Sequence, residues 1–503
     1  MTKATIHLDP DFKIGTINRR LFGAFVEHLG RCVYDGLFEP GHAEADEEGF
    51  RKDVIALVKE LGVSTIRYPG GNFVSGFRWE DSVGPKDQRP RRLDLAWHST
   101  ETNQVGLHEF QSWLDKVGSE LMLAVNLGTR GVEQAIDVLE YSNIKSGTKL
   151  SDERVANGRK DPFAINMWCL GNEMDGPWQL GYRTADEYGR LASQTAKAMR
   201  QVNESLELVV CGSSSAHMPT FGEWERTVLH HTYDDVDYIS CHAYYEEKNG
   251  DLDSFLASAV DMDHFIETVV ATADHVGAVR NSKKKINISF DEWNVWYIDR
   301  YQNVDRIVDP NFWPEAPRLL EDKYSVVDAV VFGSLLISLL NHSDRVTSAS
   351  LAQLVNVIAP IMTEPGGISW KQTTFFPFAI ASQLAQGESL KLRIDSPSFE
   401  TTQYGEVSLV DAAASHDEKT GATSLFLVNR SRTETIFLEV SLGSLKANNL
   451  VSAESLHDQD IYAANSLEDP TRVTMKANSS AKIKDGHLHI ELPPVSWSAV
   501  ELG

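Results

Sequence analysis

Short apolar runs alternate along most of the chain with segments in which apolar residues recur every three or four positions. The runs have the length of buried β-strands, and the spacing in the other segments is typical of amphipathic α-helices. Gly62 and Gly118 follow two helical segments as C-terminal caps, and Thr184 precedes Glu187 at the spacing of a capping box. The runs predict eight strands, within residues 18–29, 63–68, 121–127, 165–170, 206–211, 238–242, 286–290 and 348–356.

Eight alternations of strand and helix determine the predicted fold class, which is α/β. Spread over about 350 residues, they fit a closed (β/α)8 TIM barrel better than an open doubly wound sheet. An open sheet of that kind usually has a glycine-rich phosphate loop, and Gly70-Gly71-Asn72 does not have the spacing of that loop. We therefore predict a catalytic barrel over residues 15–381.

The helical spacing fades after about Ser382, and short alternating strands follow. Turn residues such as Lys419-Thr-Gly421 and Lys484-Asp-Gly486 separate them. This pattern predicts an additional C-terminal domain, a jelly-roll-like β-sandwich. It is formed by residues 382–503 together with a short strand in residues 1–14. Its strands are predicted at 407–410, 424–428, 435–440, 487–492 and 496–502.

Functional residues of such a barrel lie at the C-terminal ends of its strands. Two of these ends carry a glutamate close to asparagine and tryptophan, namely Glu173 and Glu292. Two carboxyl groups at one barrel mouth are what hydrolysis of a glycosidic bond requires, one as acid for the leaving group and one as nucleophile or base. Besides these two glutamates, the strand ends offer side chains that suit a neutral polyol: Glu27, Arg67, Asn72, Asn126, Asn172, His242, Tyr244, Trp296 and Gln353.

The charge balance limits the class of ligand. The chain has 47 basic and 72 acidic side chains, and its formal net charge of −25 repels nucleic-acid phosphates and anionic lipid surfaces. We therefore expect a neutral substrate and neither a nucleic-acid nor a membrane partner. The apolar segment 324–340 is too short to span a bilayer comfortably and predicts a buried helix. Because no basic and apolar leader opens the chain, we expect a cytoplasmic protein.

The four cysteines give no sign of a metal site or a disulfide. Cys32, Cys169, Cys211 and Cys241 are far apart in the sequence and form no C-x-x-C pair. Three of them fall within strand-like runs, where cysteine behaves as a small buried apolar residue. We predict that the protein uses no metal and no cofactor.

The strand ends resemble those of glycoside hydrolase family 51, the α-L-arabinofuranosidases. Asn-Glu alone indicates only the large clan of barrel glycosidases to which this family belongs, but the segments together are specific to the family. The resemblance covers the barrel, and the C-terminal sandwich agrees in its position. The segments that carry it are Leu21–His28, Ile66–Phe73, Trp168–Gly176, Cys241–Tyr245 and Phe290–Trp296.

This resemblance implies a retaining, exo-acting hydrolase that releases terminal arabinofuranose from arabinan, arabinoxylan or arabino-oligosaccharides. It implies Glu173 as the acid/base and Glu292 as the nucleophile, with Arg67 and His242 orienting the carboxylates. It further implies a homohexamer. The segment 300–321 has no clear match, and it lies where loop variation would decide the preferred linkage. The substrate-binding residues that the resemblance implies are Glu27, Asn72, Trp97, Asn172, Tyr244, Trp296 and Gln353.

The sequence has no glycine-rich phosphate loop and no evident ligand cluster, which argues against an isomerase or aldolase barrel. Two other hypotheses remain open on the sequence. The first is another retaining glycosidase of the same barrel clan that acts on a pyranoside, such as a β-xyloside or a β-galactoside. The second is a catalytically inert sugar-binding protein, against which the two glutamates argue, because a binding module has no need to bury two like charges near each other.

Overall fold

The computed structural model describes residues 2–445 and 449–503, and its larger part is a closed barrel of eight parallel strands. We number the barrel strands in chain order. Around the barrel they follow the order β6, β7, β8, β1, β2, β3, β4, β5, and β5 pairs with β6 to close the ring. This confirms the predicted TIM barrel. The strands are β1 Gly23–Phe25, β2 Thr65–Tyr68, β3 Glu120–Val125, β4 Met167–Leu170, β5 Glu207–Val210, β6 Tyr238–Tyr245, β7 Asn287–Val295 and β8 Val346–Ala352.

Each predicted run overlaps one of these strands, but β6 and β7 continue past their predicted ends to Tyr245 and Val295, and the first strand is shorter than predicted. Residues 19–22 form a 3₁₀ turn, because the Asn18 side chain accepts a hydrogen bond from the Arg20 N–H (3.0 Å) and so favours a local turn over extended backbone. The strand therefore begins only at Gly23. Its Cα lies so close to β8 that a Cβ there would come within 2.3 Å of the Ala349 carbonyl oxygen.

Helices cover the outside of the barrel and confirm the predicted end signals. Gly62 and Gly118 lie in the left-handed region (φ 79° and 80°), and Thr184 Oγ1 accepts a hydrogen bond from the Glu187 N–H. Among the described residues, no helix is long and apolar enough to cross a membrane. The α-helices of five or more residues are Lys52–Leu61, Leu107–Val117, Val132–Asn143, Lys149–Ala156, Ala185–Val202, Glu223–Thr232, Leu252–Leu256, Ala259–Val279, Val326–Asn341 and Phe375–Leu384.

The C-terminal part is a sandwich of two sheets, as predicted, with an apolar core between them that includes Ile6, Leu427 and Leu438. The five-stranded sheet has the order Arg393–Asp395, Thr2–His7, Ile436–Ser441, His487–Leu492 and Lys482–Lys484. The seven-stranded sheet has the order Lys13–Thr16, Glu388–Leu390, Val410–His416, Thr423–Asn429, Ser496–Leu502, Leu450–Leu456 and Lys476–Ala477. The strand Lys13–Thr16 spans the predicted boundary between residues 14 and 15, and the exact domain limits stay a prediction.

Short hairpins extend from this framework. Arg92–Asp94 pairs with Ser99–Glu101 in the loop that follows β2, and Ile361–Thr363 pairs with Ser369–Lys371 after β8. A third hairpin, Ser398–Thr401 with Gly405–Ser408, belongs to the C-terminal part. The predicted strand at 407–410 is thus divided between this hairpin and Val410–His416, because the Leu409 N–H donates to the carbonyl of Pro397 instead of a sheet partner.

Candidate active site

The two predicted glutamates meet at the C-terminal mouth of the barrel. Glu173 follows β4 in a sharp turn, in which Gly171 has φ 93° and Glu173 itself has φ 43°. Glu292 lies within β7 and is buried. One side-chain oxygen of each glutamate lies within 4.8 Å of the other. A non-glycine residue in the left-handed region is strained, and such strain is concentrated at functional sites.

The imidazole of His242 lies between three carboxylates. Its Nδ1 is 2.9 Å from Glu173 Oε1, and its Nε2 is 2.8 Å from Asp291 Oδ1. Burial disfavours the charged ring, but the negative charges of Glu292, Asp291 and Glu173 outweigh it and raise the pKa of His242 to about 10. His242 is therefore an imidazolium at neutral pH, and it donates a hydrogen bond to Glu173 and another to Asp291.

Both oxygens of Glu292 accept hydrogen bonds. Arg67 Nη1 donates to Oε1 (2.6 Å), and the Tyr244 hydroxyl donates to Oε2 (2.7 Å). Burial raises the pKa of Glu292, whereas the cations His242 and Arg67 act in the opposite direction. The carboxylate is thus fixed in orientation by two donors, one on the adjacent strand β6 and one on β2.

A third carboxyl group, Glu27, lies beyond the end of β1. Its Oε1 accepts from the Trp97 indole N–H (2.9 Å) and the Phe73 backbone N–H (2.8 Å), and its Oε2 accepts from Gln353 Nε2 (3.1 Å). Burial raises the pKa of Glu27 to about 8, against the effect of these hydrogen bonds. The backbone passes close by at Gly71, where a Cβ would come within 2.6 Å of Glu27 Oε2.

Asparagine and aromatic side chains lie between the region around Glu292 and the region around Glu27. Asn172 Oδ1 accepts a hydrogen bond from Arg67 Nη2 (2.5 Å), and Asn172 Nδ2 lies 3.3 Å from Asn72 Oδ1. The rings of Tyr244 and Trp296 pack edge to face, with centroids 5.0 Å apart. Together with Tyr301, which packs between Trp97 and Trp296, these contacts link all eleven residues predicted for the site, while their individual roles stay a prediction.

One polar strand end does not join the site. The Asn126 amide donates to the carbonyl of Phe77 (2.9 Å) and lies 3.0 Å from Thr129 Oγ1, so it stabilises the loop after β3 instead of facing the glutamates. The interpretation of Asn126 as one of the sugar-facing residues is not supported by these contacts.

Other residues contact the site without having been predicted. The indole N–H of Trp178 donates to Glu173 Oε2 (2.7 Å), although this side chain is 54 % exposed. Tyr301 packs against both Trp97 and Trp296, with ring centroids 5.8 and 6.1 Å apart. The only signal in the sequence was the presence of aromatic residues in otherwise polar loops, since neither residue lies in a periodic segment.

Comparison with known proteins extends the resemblance to the whole chain. The α-L-arabinofuranosidase 1 domain model matches residues 57–283, and the α-L-arabinofuranosidase C-terminal domain model matches residues 291–496. A family 51 α-L-arabinofuranosidase structure from Bifidobacterium longum has 49 % sequence identity to this chain and a TM-score of 0.96, with 100 % of each chain covered. This chain belongs to the α-L-arabinofuranosidases of glycoside hydrolase family 51.

Individual members of the family differ in the linkage that their names specify. An intracellular exo-α-(1→5)-L-arabinofuranosidase of Streptomyces lividans is 60 % identical over 99 % of this chain and 75 % of the relative. An exo-α-(1→6)-L-arabinofuranosidase of Bifidobacterium longum is 57 % identical over 100 % of this chain and 98 % of the relative. At these identities the arabinofuranosidase described here is a glycoside hydrolase.

Three side chains of this arabinofuranosidase are close enough to hold a metal ion, because Glu173, His242 and Glu292 each offer an atom within 4.8 Å of the other two. Both nitrogens of His242 already bond carboxylates, however, and binding a metal would require loss of its proton. We expect full activity after exhaustive treatment with a chelator, measured as the rate of arabinofuranoside hydrolysis. A loss that added metal restores would contradict this prediction.

Proposed function

We propose that this protein hydrolyses terminal non-reducing α-L-arabinofuranosyl residues by double displacement, with retention of configuration. The observation that carries the mechanism is the distance of at most 4.8 Å between one oxygen of Glu173 and one of Glu292. Retaining glycosidases have carboxyl groups about 5 Å apart, whereas inverting enzymes need a gap of roughly 6.5–9.5 Å to hold a water molecule.

In the first step Glu292 attacks the anomeric carbon while Glu173 donates a proton to the departing oxygen. The two groups have different hydrogen-bond partners. Glu292 accepts hydrogen bonds from Arg67 and Tyr244, which favour an oriented carboxylate. Glu173 accepts hydrogen bonds from His242 and from the Trp178 indole, which hold its carboxyl group in place beside Glu292.

In the second step the Glu292 ester is hydrolysed by water, and Glu173 acts as the base that receives the proton of that water. Positive charge builds on the sugar ring in both transition states, so ionised carboxylates near the ring stabilise them. Asn172 is tied to Arg67 beside Glu292, where it is able to bind the hydroxyl group next to the anomeric carbon. Hydrogen bonds to that hydroxyl strengthen in the transition state.

The remaining predicted residues supply the sugar-binding surface. We assign Glu27, Asn72 and Gln353 to hydrogen bonds with the sugar hydroxyls, and Trp97, Tyr244 and Trp296 to its apolar faces. A neutral furanose matches this combination of amides, acids and aromatic rings.

The substrates we propose are arabino-oligosaccharides and the side chains of arabinan or arabinoxylan, with hydrolysis in the cytoplasm by a homohexamer. Three relatives with at least 50 % identity, from Streptomyces lividans, Halalkalibacterium halodurans and Bacillus subtilis, are named as intracellular exo-α-(1→5) enzymes, which supports both the location and the substrate class. The hexamer rests on the family resemblance.

A panel of nitrophenyl glycosides tests the proposed function directly. We expect hydrolysis of the α-L-arabinofuranoside, and rates far lower for the β-xylopyranoside and β-galactopyranoside. Arabinobiosides linked 1→2, 1→3, 1→5 and 1→6 would then establish the preferred linkage. Preference for a pyranoside would support the alternative member of the barrel clan, and inactivity on every substrate would support an inert sugar-binding protein.

The pH profile tests the role of His242. Because the His242 cation lowers the pKa of Glu292, its removal in His242→Gln should raise that pKa further. We therefore expect the acid limb of kcat/KM, which reports deprotonation of the nucleophile in the free enzyme, to move to higher pH. His231→Gln is a matched control, since His231 pairs with Asp186 outside the site. An acid limb that stays in place or moves to lower pH would contradict this assignment.

A further inference from the structure

The segment 298–321, between β7 and the helix Val326–Asn341, crosses one side of the barrel mouth. Its two ends are joined at the base, where the Tyr297 N–H donates to Asp322 Oδ2 (2.9 Å). Asp322 is buried, so this contact lies inside the protein. The two ends of the segment therefore lie side by side, and residues 298–321 form a loop between them.

The far part of the segment is attached to the loop that follows β2. The Thr100 N–H donates to the carbonyl of Pro314 (2.9 Å), and Thr100 Oγ1 donates to the carbonyl of Trp313 (2.8 Å). The His98 ring stacks on Trp313 with centroids 3.7 Å apart. Loops that start at β7 and β2 are thus connected to each other.

The strand order shows which side of the mouth this connection covers. β8 and β1 lie between β7 and β2, and the polar residues at their ends are Gln353 and Glu27. β4, which leads to Glu173, is diametrically opposite β8. Because Glu173 protonates the leaving oxygen, the leaving group departs on the β4 side. The covered side therefore faces the non-reducing part of the sugar.

Tyr301 is the residue of this segment that contacts the site. Its ring packs against Trp97 and Trp296, and Trp97 in turn bonds Glu27. The backbone at Tyr301–Asp305 forms a single π-helical turn, a feature that occurs frequently at functional sites. Within the described ranges, the Tyr301 hydroxyl has no hydrogen-bond partner, so the side chain is held by its ring contacts.

We propose that Tyr301 is a specificity-determining residue that closes the non-reducing end of the sugar pocket and restricts the enzyme to single terminal arabinofuranosyl units. This inference rests on the proposed function. A second sugar attached to the non-reducing side would have to displace the Tyr301 ring from Trp97 and Trp296. Those indoles are themselves fixed, because Trp97 bonds Glu27 and Trp296 packs against Tyr244.

The test uses 4-nitrophenyl α-(1→5)-L-arabinofuranobioside and the first products that each variant forms. The wild type must remove the outer arabinose first, so nitrophenol should appear only after a lag, and arabinobiose should be absent. Tyr301→Ala should release arabinobiose and nitrophenol together without a lag. We expect its ratio of arabinobiose to arabinose to exceed that of the wild type by about 10-fold or more, the scale on which a pocket discriminates by shape.

Two control variants isolate the effect of the Tyr301 ring. Tyr301→Phe retains the ring, and Phe312→Ala removes an exposed side chain from the same segment, so both should release arabinose alone. If Tyr301→Ala fails to fold, as judged by its thermal midpoint, Tyr301→Leu replaces it in the experiment. The same ratio of arabinobiose to arabinose is expected, because leucine is shorter than the phenol and remains apolar.

Release of arabinose alone by the folded Tyr301→Ala or Tyr301→Leu variant would overturn the proposal, and so would release of arabinobiose by Tyr301→Phe. A wild type that cleaves neither 4-nitrophenyl α-L-arabinofuranoside nor the bioside would instead refute the proposed function. The two failures are therefore distinguishable in one experiment.

Discussion

Glu292→Ala should lower kcat by about 10⁴-fold to 10⁶-fold on every substrate, the scale seen when a hydrolase loses its covalent nucleophile. Without this carboxylate no glycosyl ester forms, and leaving-group activation offers no substitute. The rate should fall alike for nitrophenyl arabinofuranosides and arabino-oligosaccharides, measured as phenol or arabinose release.

Glu292→Gln is the matched control for packing, because the amide has the size of the acid, its oxygen is able to accept the hydrogen bond from Arg67, and the Tyr244 hydroxyl is able to rotate and accept from its NH2 group. It should be as inactive as the alanine variant while retaining the thermal midpoint more closely. Residual hydrolysis of an activated aryl glycoside with retained configuration, in the absence of any added nucleophile, would show that another residue is the nucleophile.

Glu173→Ala should lower the rate of hydrolysis by an amount that depends on the leaving group of the substrate. A general acid contributes about 10²-fold to 10⁴-fold in rate, but only where the departing oxygen needs a proton. Cleavage of an arabino-oligosaccharide should therefore fall by that factor, while the first step on a dinitrophenyl arabinofuranoside is spared. The second step then becomes slow because the base is missing, so an early burst of phenol should precede a slow steady state.

Azide provides the control for this variant, since it attacks the glycosyl ester without needing a base. Added azide should restore turnover of Glu173→Ala on aryl substrates and give an arabinosyl azide with the anomeric configuration of the substrate. If the variant slows aryl and oligosaccharide substrates equally, and azide changes nothing, then Glu173 is not the acid/base.

The barrel could be predicted from the sequence because its strands are buried on both faces. The run leading to Glu173 is almost continuously apolar and stops where the backbone reaches the mouth, and the run leading to Glu292 has apolar residues at 286, 288 and 290. Since the C-terminal ends of the parallel strands meet at the barrel mouth, the polar residues at those ends also predicted most of the site. The exception, Asn126, shows that a polar strand end also serves to hold its own loop.

The loop contacts could not be predicted in the same way. Trp178 bonds Glu173, and Tyr301 packs against Trp97, from loops whose sequences have no helical or strand periodicity. The loop that carries Tyr301 is held by contacts with Asp322 and Thr100, which are distant from Tyr301 in the sequence. The role of Asp291 was also missed, although it stands next to Glu292. Only the structure shows that it shares His242 with Glu173. The strand Leu450–Leu456 was missed because its alternation is weak, with Val451 exposed and Ser455 buried.

The central claim is that Glu292 forms a covalent bond with the sugar, and trapping that intermediate tests it most directly. The wild type would be treated with an activated 2-deoxy-2-fluoro-α-L-arabinofuranoside, which slows both steps but the second one more. Peptic peptides would then be compared by mass spectrometry. Our account predicts that the fluorosugar is attached to the peptide containing Glu292 and that fragmentation locates it on that side chain. A label on Glu173 or Glu27, or no covalent adduct under conditions of complete inactivation, would contradict it.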